Sequence, residues 1–144
     1  MKIAKIRSSG FEGTEKAALD AAKKMKIMIV GWIPKEYPAA YEELKETKSS
    51  KKEQSTIWNV RDSHATLIIG PIENFMHLNL ALEVADSYGR PVCVSDNKKQ
   101  IMAWLSKLGE ELTLNVIGPS EEEIEGAYFS TRKLITDILK DMQI

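Results

Sequence analysis

Five short apolar runs alternate with amphipathic stretches along this chain, and that alternation constrains its fold more than any other feature. The runs are Ile3, Ala4, Lys5 and Ile6; KIMIVGW; ATLIIG; Pro91 to Val94; and LTLNVIG. Between and after them, apolar residues recur at helical spacing: Leu19, Ala22 and Met25; Ile57, Val60 and His64; Leu78, Ala81, Leu82, Ala85 and Tyr88; Ile101, Trp104, Leu105 and Leu108; Tyr128, Thr131, Leu134, Ile135 and Ile138. Short continuous apolar runs read as strands buried on both faces, which a parallel sheet needs. The expectation is one α/β domain over residues 1–144, a three-layer α/β/α sandwich around a mainly parallel five-stranded sheet.

Right-handed crossovers and five strands favour the order 2-1-3-4-5. In that order the loops after the first and third strands, Ser8 to Thr14 and Gly70 to Asn79, flank the crevice where the winding reverses. Parallel sheets take their ligands there. Ser55 or Thr56, Asn74 and Asp96 are placed to cap helices. From Lys35 to Gln54 no period is sustained, and a connector that long is either a solvated link or a cover over a site or an interface.

Charge narrows the partners. Twenty basic against twenty-one acidic residues leave a net charge of -1, which argues against a nucleic-acid or membrane-surface binder. No apolar run approaches the roughly 20 residues of a membrane span, and no apolar block follows the basic start MKIAKIRSSG, so no leader is expected. Cys93 stands alone, so no internal disulfide or Cys-x-x-Cys metal site can form. A buried thiol and a cytoplasmic location are the default reading.

The turn after the first strand draws attention as a ligand site. Ser8, Ser9, Gly10, Gly13 and Thr14 precede or open an alanine-rich helix, and free amides at a helix start, beside the positive end of its dipole, commonly hold an anion. The same residues would serve a purely structural turn in which the glycines allow the bend and a hydroxyl caps the helix. The turn is neither a G-x-G-x-x-G nor a P-loop. After the second strand, Trp32 and Lys35 could stack on and pair with a planar anionic ring, or seal a subunit interface. Asn74 and His77 lie on the loop after the third strand. His77 is the better histidine for chemistry, although a lone histidine is more often a packing residue. Glu12 and Glu15 read as acidic residues favouring a helix start, worth about 0.3 to 1 kcal/mol each. No metal-ligand cluster is apparent.

In order along the chain, SSGFEGTEKAALDAA, GWIPKEYP, YEELKETKSSKKEQSTIWNVRDSHATLIIG, GRPVCV and LTLNVIGPSEEEIEGAY resemble the molybdenum carrier family, with WNVRDSHATLI the most specific part. That family is grouped with the lysine-decarboxylase-like nucleotide phosphoribohydrolases. The resemblance implies a Rossmann-like fold and a cytoplasmic, often homo-oligomeric protein. It also implies a small anionic, nucleotide-like or pterin-like ligand, the molybdenum cofactor among them, over the first glycine turn.

The family's first turn reads Ser-Gly-Gly-x-Thr-Gly-x-Asp-Arg-Ala-Ala-Leu-Asp. Ser8, Gly10, Gly13, Ala17, Ala18, Leu19 and Asp20 match it, while Ser9 replaces a glycine and Glu12 the threonine. A carboxylate about 4 Å from a phosphate would repel it by roughly 4 kcal/mol per unit charge at an effective dielectric of about 20. The group's second glycine motif should fall near Met76 to Ala81, where MHLNLA has no glycine; Glu83 stands at the place of its glutamate. Ser120 and Glu122 stand where an arginine and a serine are usual, and His64 replaces an aspartate.

Three functions follow as expectations. The first is a binding protein for a small anionic ligand in the crevice. The second is a scaffold subunit that has lost its ligand, and the third an N-glycosidase using Glu12 and Glu83, with His77 a further candidate for catalysis.

Overall fold

The computed structural model describes residues 3–142; Lys2, at the head of the first apolar run, lies outside them. In chain order the elements are β1 (Ile3–Arg7), α1 (Thr14–Lys24), β2 (Met28–Val30), β3 (Trp32–Ile33), β4 (Lys45–Glu46) and α2 (Lys52–Arg61). There follow β5 (Ala65–Ile68), α3 (Met76–Ser87), β6 (Val92–Val94), α4 (Lys98–Leu105), β7 (Leu112–Ile117) and α5 (Ala127–Met142). The five expected strands form one parallel sheet, so the Rossmann-like three-layer class holds.

The strand order differs from the expectation. It is β2-β1-β7-β5-β6, with the last strand in the middle and not at an edge. The reason lies in burial. Five of the six residues of β7 are buried, which requires cover from both faces and a strand on each side, whereas β6 is a three-residue strand only partly covered. Counted from β7 as the first strand, the order becomes 3-2-1-4-5, the ordinary doubly wound arrangement. The winding therefore reverses between β7 and β5, and the crevice lies at the carboxyl ends of those two strands.

Alternation along the strands feeds two cores. Ile6, Leu67, Leu114 and Val116 pack on one face with Ala18 and Leu19 of α1, Ile101 and Leu105 of α4, and Ile135 and Ile138 of α5. Ile68 and Ile117 point to the other face, against Val60 of α2 and Leu78, Ala81 and Ala85 of α3. This second face is partly polar: the buried Asn115 donates to the Thr66 hydroxyl at 3.2 Å.

The Lys35 to Gln54 excursion is more ordered than its composition suggests. It contains β4, which pairs in parallel with β3, and α2 begins at Lys52, before the expected Ser55 or Thr56 cap. Asn97, not Asp96, caps α4 by accepting the Gln100 amide at 2.9 Å.

Asn59 of α2 ties the second face together. It is 3% exposed; its amide donates to Ser9 Oγ at 2.9 Å and to the Trp32 carbonyl at 3.1 Å, and its Oδ1 accepts the Trp32 amide at 2.9 Å. Asp62 accepts the Trp32 indole Nε1–H at 2.8 Å, and Trp58 meets the Trp32 ring edge to face. The WNVRD segment is thus a clamp on Trp32. Among the described residues, no helix is long and apolar enough to cross a membrane. An Asn59→Ala chain should lose about 2–4 kcal/mol in urea unfolding, because the Trp32 amide and carbonyl and the Ser9 hydroxyl all lose a buried partner.

Candidate functional site

The turns after β1 and β7 meet face to face above the sheet. Gly13 has φ of 106°, and a Cβ placed there would lie 2.4 Å from the Glu121 amide nitrogen. Glycine is needed on both counts, close approach and backbone conformation. The contact is a short antiparallel bridge from Gly13 to Ser120, with the Glu121 amide donating to the Glu12 carbonyl at 3.2 Å and the Thr14 amide to the Pro119 carbonyl at 3.2 Å. Ser120 and Glu123 bond reciprocally, amide to side chain in each direction. Glu121 accepts the amides of Tyr128 and Gly126 at the start of α5, and these bonds hold its carboxyl below the usual range.

Beside this meeting lies a cleft of about 720 Å³ at the carboxyl edge of the sheet, between the β7 turn and the start of α3. Six glutamates line it: Glu12, Glu15, Glu53, Glu83, Glu122 and Glu123. Among the described residues, Lys52 is the single lysine or arginine in the wall, and Phe11, Thr56, Met76 and Leu80 supply much of the apolar surface. His77 lies 3.1 Å from the Gly118 carbonyl, which can only accept, so Nε2 carries the proton; Glu123 Oε1 is 3.8 Å from the same nitrogen.

Glu15 is the unusual group. It is 6% exposed, and burial drives its pKa from 4.5 up to about 8 against the opposing pull of the Ser9 amide, the Ser8 hydroxyl and the Lys52 charge. Burial thus favours the protonated form of this carboxyl. The Lys52 ammonium sits 4.8 Å from the Phe11 ring centre and 5.9 Å from that of Tyr37, a favourable cation–π placement.

The expected site residues divide. Glu12, His77 and Glu83 do line the cleft. Ser8 and Ser9 are buried and spent on internal bonds: the Ser8 hydroxyl accepts the Gly10 amide at 3.0 Å, and Ser9 donates to the Trp32 carbonyl at 2.8 Å. Gly10, with φ of 73°, packs against Leu19 and Tyr41. The Thr14 side chain is buried against Gly118 with its hydroxyl unpartnered. Trp32 and Lys35 are not brought to the cleft, Trp32 because α2 clamps it and Lys35 because it is exposed where its amide joins Ser49. Asn74 is exposed at φ of 74° and does not cap α3, whose N-cap is Phe75. In the cradle expected at α1, the Gly10 and Thr14 amides are therefore taken up by the chain itself.

Glu15, Lys52 and Glu123 join the site only in three dimensions. A smaller concavity of about 330 Å³ opens beside Gly10, Lys16 and Tyr37. Nearby, Asp20 accepts the hydroxyls of Tyr128 and Tyr41; burial raises its pKa, but these bonds and Lys16 outweigh that and leave it below the usual value. Among the described residues, no group of three or more His, Cys, Asp or Glu is arranged to hold a metal ion.

Comparison with known proteins agrees with this architecture. Residues 6–139 match the circularly permutated YpsA SLOG family. The crystal structure of a protein from Syntrophus aciditrophicus SB, described as a "Putative molybdenum carrier protein", is 30% identical to this chain. That likeness covers 95% of this chain and 94% of the other, with a TM-score of 0.83. No curated protein matches the chain. A permuted family accounts for a sheet that regains the ordinary order when counted from its last strand.

Glu15 also gives the chain a pH signature. The folded chain holds a proton that the unfolded chain releases, so the stability Glu15 contributes is complete below a pH of about 4.5 and is lost as the pH rises through about 8. Relative to a Glu15→Gln chain, the native chain should lose stability across that window with a slope approaching about 1.4 kcal/mol per pH unit. Urea midpoints measured at a series of pH values check this, and a flat difference would contradict it.

Proposed function

Because the chain belongs to the circularly permutated YpsA SLOG family, we propose that it is a small-molecule carrier holding its ligand in the cleft between the β7 turn and α3. The observation that carries this reading is the cleft itself. Its volume of about 720 Å³ suits a small ligand, and it lies where the winding reverses, the place at which sheets of this kind bind. The name of the Syntrophus aciditrophicus SB protein supports a carrier role. A cytoplasmic homo-oligomer is the setting this reading assumes.

An anionic molybdenum cofactor is the ligand that the family would suggest, and the two crossing turns do not offer it a cradle. Its negative groups would need free amides or several cations. The Thr14, Glu121 and Ser120 amides are all bonded within the chain, and the wall has six glutamates to one lysine.

A second reading, acid–base catalysis, is favoured by Glu15, a carboxyl raised to about 8 in the same cleft as Glu12 and Glu83. An N-glycosidase of the phosphoribohydrolase type would release free base from a nucleoside monophosphate, and incubation with a panel of these compounds tests it.

For the carrier reading, native mass spectrometry of freshly purified protein should find a bound small molecule. Leu80→Trp, which fills the cleft, should weaken its binding by at least about tenfold, since a blocked pocket loses most of its contact area. Loss of binding with unchanged unfolding would place the ligand in the cleft. A protein without ligand, silent toward a broad metabolite panel in calorimetry, would leave a scaffold role.

A further inference from the structure

We propose that Glu15 and Lys52 form a pH-driven gate on the cleft: while Glu15 keeps its proton the Lys52 ammonium rests on the Phe11 ring, and once Glu15 ionises the ammonium swings inward and pairs with it. As control over entry, this rests on the cleft being the ligand site. The movement itself belongs to the chain without ligand and is tested there.

The first half of the gate is a buried acid with little to hold its charge. Glu15 stands on the first turn of α1, is 6% exposed and forms part of the cleft wall. The Ser8 hydroxyl reaches its Oε1 only at 3.4 Å, long for a hydroxyl donor, and the Ser9 amide is the other donor from its own turn. A carboxyl so placed is satisfied with its proton on. As a carboxylate it needs a cation close by.

The second half is a cation without a fixed partner. Lys52 is exposed on the first turn of α2 and lines the same cleft. Among the described residues it makes no ion pair, although Glu12, Glu53, Glu83, Glu122 and Glu123 share the wall with it. Its ammonium lies instead 4.8 Å from the centre of the Phe11 ring and 5.9 Å from that of Tyr37, two rings that meet at 5.1 Å and 67°. An exposed contact of this kind is weak, and the flexible four-carbon stem of a lysine lets the ammonium leave it.

The other charged groups around Glu15 do not answer its ionisation. Glu12 on its own turn, Glu53 on α2, Glu83 on α3, and Glu122 and Glu123 after β7 are all acidic. The Glu123 charge pushes the Glu15 pKa up, whereas the Lys52 charge already pulls it down. Glu123 is engaged by the Ser120 amide, and His77 of α3 by the Gly118 carbonyl. Lys52 is left as the group able to move. When Glu15 ionises, its proton passes to solvent and the Lys52 ammonium keeps its own, so an ion pair forms inside the cleft and narrows it. Pairing favours the ionised acid, so the gate should close at or below a pH of about 8. The cleft is open on the acid side of that point.

Nuclear magnetic resonance of the ligand-free, isotope-labelled full chain reads both halves at once. At pH 6 the Lys52 Hε protons should be shifted upfield by the Phe11 ring current, and Phe11→Leu should remove that shift. Raising the pH to 9 should move them towards the position of free lysine, with the same midpoint as the Glu15 Cδ resonance. Glu15→Gln should hold Lys52 over Phe11 throughout, and Lys52→Met should raise the Glu15 midpoint by about 1 pH unit through loss of the opposite charge. A Glu15 that titrates while Lys52 stays still would overturn the gate, as would a Lys52 movement that survives Glu15→Gln or a Glu15 Cδ that is flat from pH 6 to 9. A coupled movement in a chain whose ligand binding ignores Leu80→Trp would keep the switch and remove the cleft as the ligand site.

Discussion

The structure depends on β7 lying in the middle of the sheet. Its buried side chains reach both cores, Leu114 and Val116 on one side and Ile117 on the other, and its neighbours β1 and β5 carry two of the turns that flank the crevice. A central last strand also sends its own turn, Gly118 to Ser120, directly over the start of α1. Gly13 is the point of closest approach. Burial of one strand thus decides where the chain crosses itself and what faces the crevice.

That crossing explains how a family scaffold can be retained while the Thr14 amide at the start of α1 is spent within the chain. A helix start with free amides attracts negative charge, but the same amides bond any carbonyl brought within reach. Here Pro119 supplies it. Once the turns bond to each other, their side chains set the character of the cleft, and those side chains are glutamates. The buried Glu15 belongs to the same picture: the Ser8 hydroxyl and the Ser9 amide of the turn after β1 reach a carboxyl that would otherwise sit in water at a helix start.

The polar packing of α2 performs a different task. Asn59, Asp62 and Trp58 hold Trp32 through backbone and ring contacts. This anchors β3 and the excursion that follows it, and the excursion returns as Lys52 and Thr56 at the cleft. An aromatic that looked free to stack on a ligand is instead part of the support. Tyr41 is used similarly, its hydroxyl spent on Asp20 of α1.

What the sequence by itself determined is the layer structure. Short apolar runs and helical periodicity depend on near neighbours, so five parallel strands and their covering helices were legible, as was the placing of Glu12, His77 and Glu83 beside the carboxyl edge of the sheet. Strand order was not, because it depends on how completely each strand is covered, and a run such as LTLNVIG reads much the same at an edge or in the centre. Glu15, Lys52 and Glu123 come from α1, α2 and the turn after β7, and no local pattern records that they share a cleft. Only the tertiary structure decided that Ser9, Thr14 and Trp32 are internal and that the crevice is acidic. The physical reason is that hydrogen-bonding capacity is assigned by proximity in space: a serine or an amide binds a ligand only if no nearer part of its own chain reaches it first.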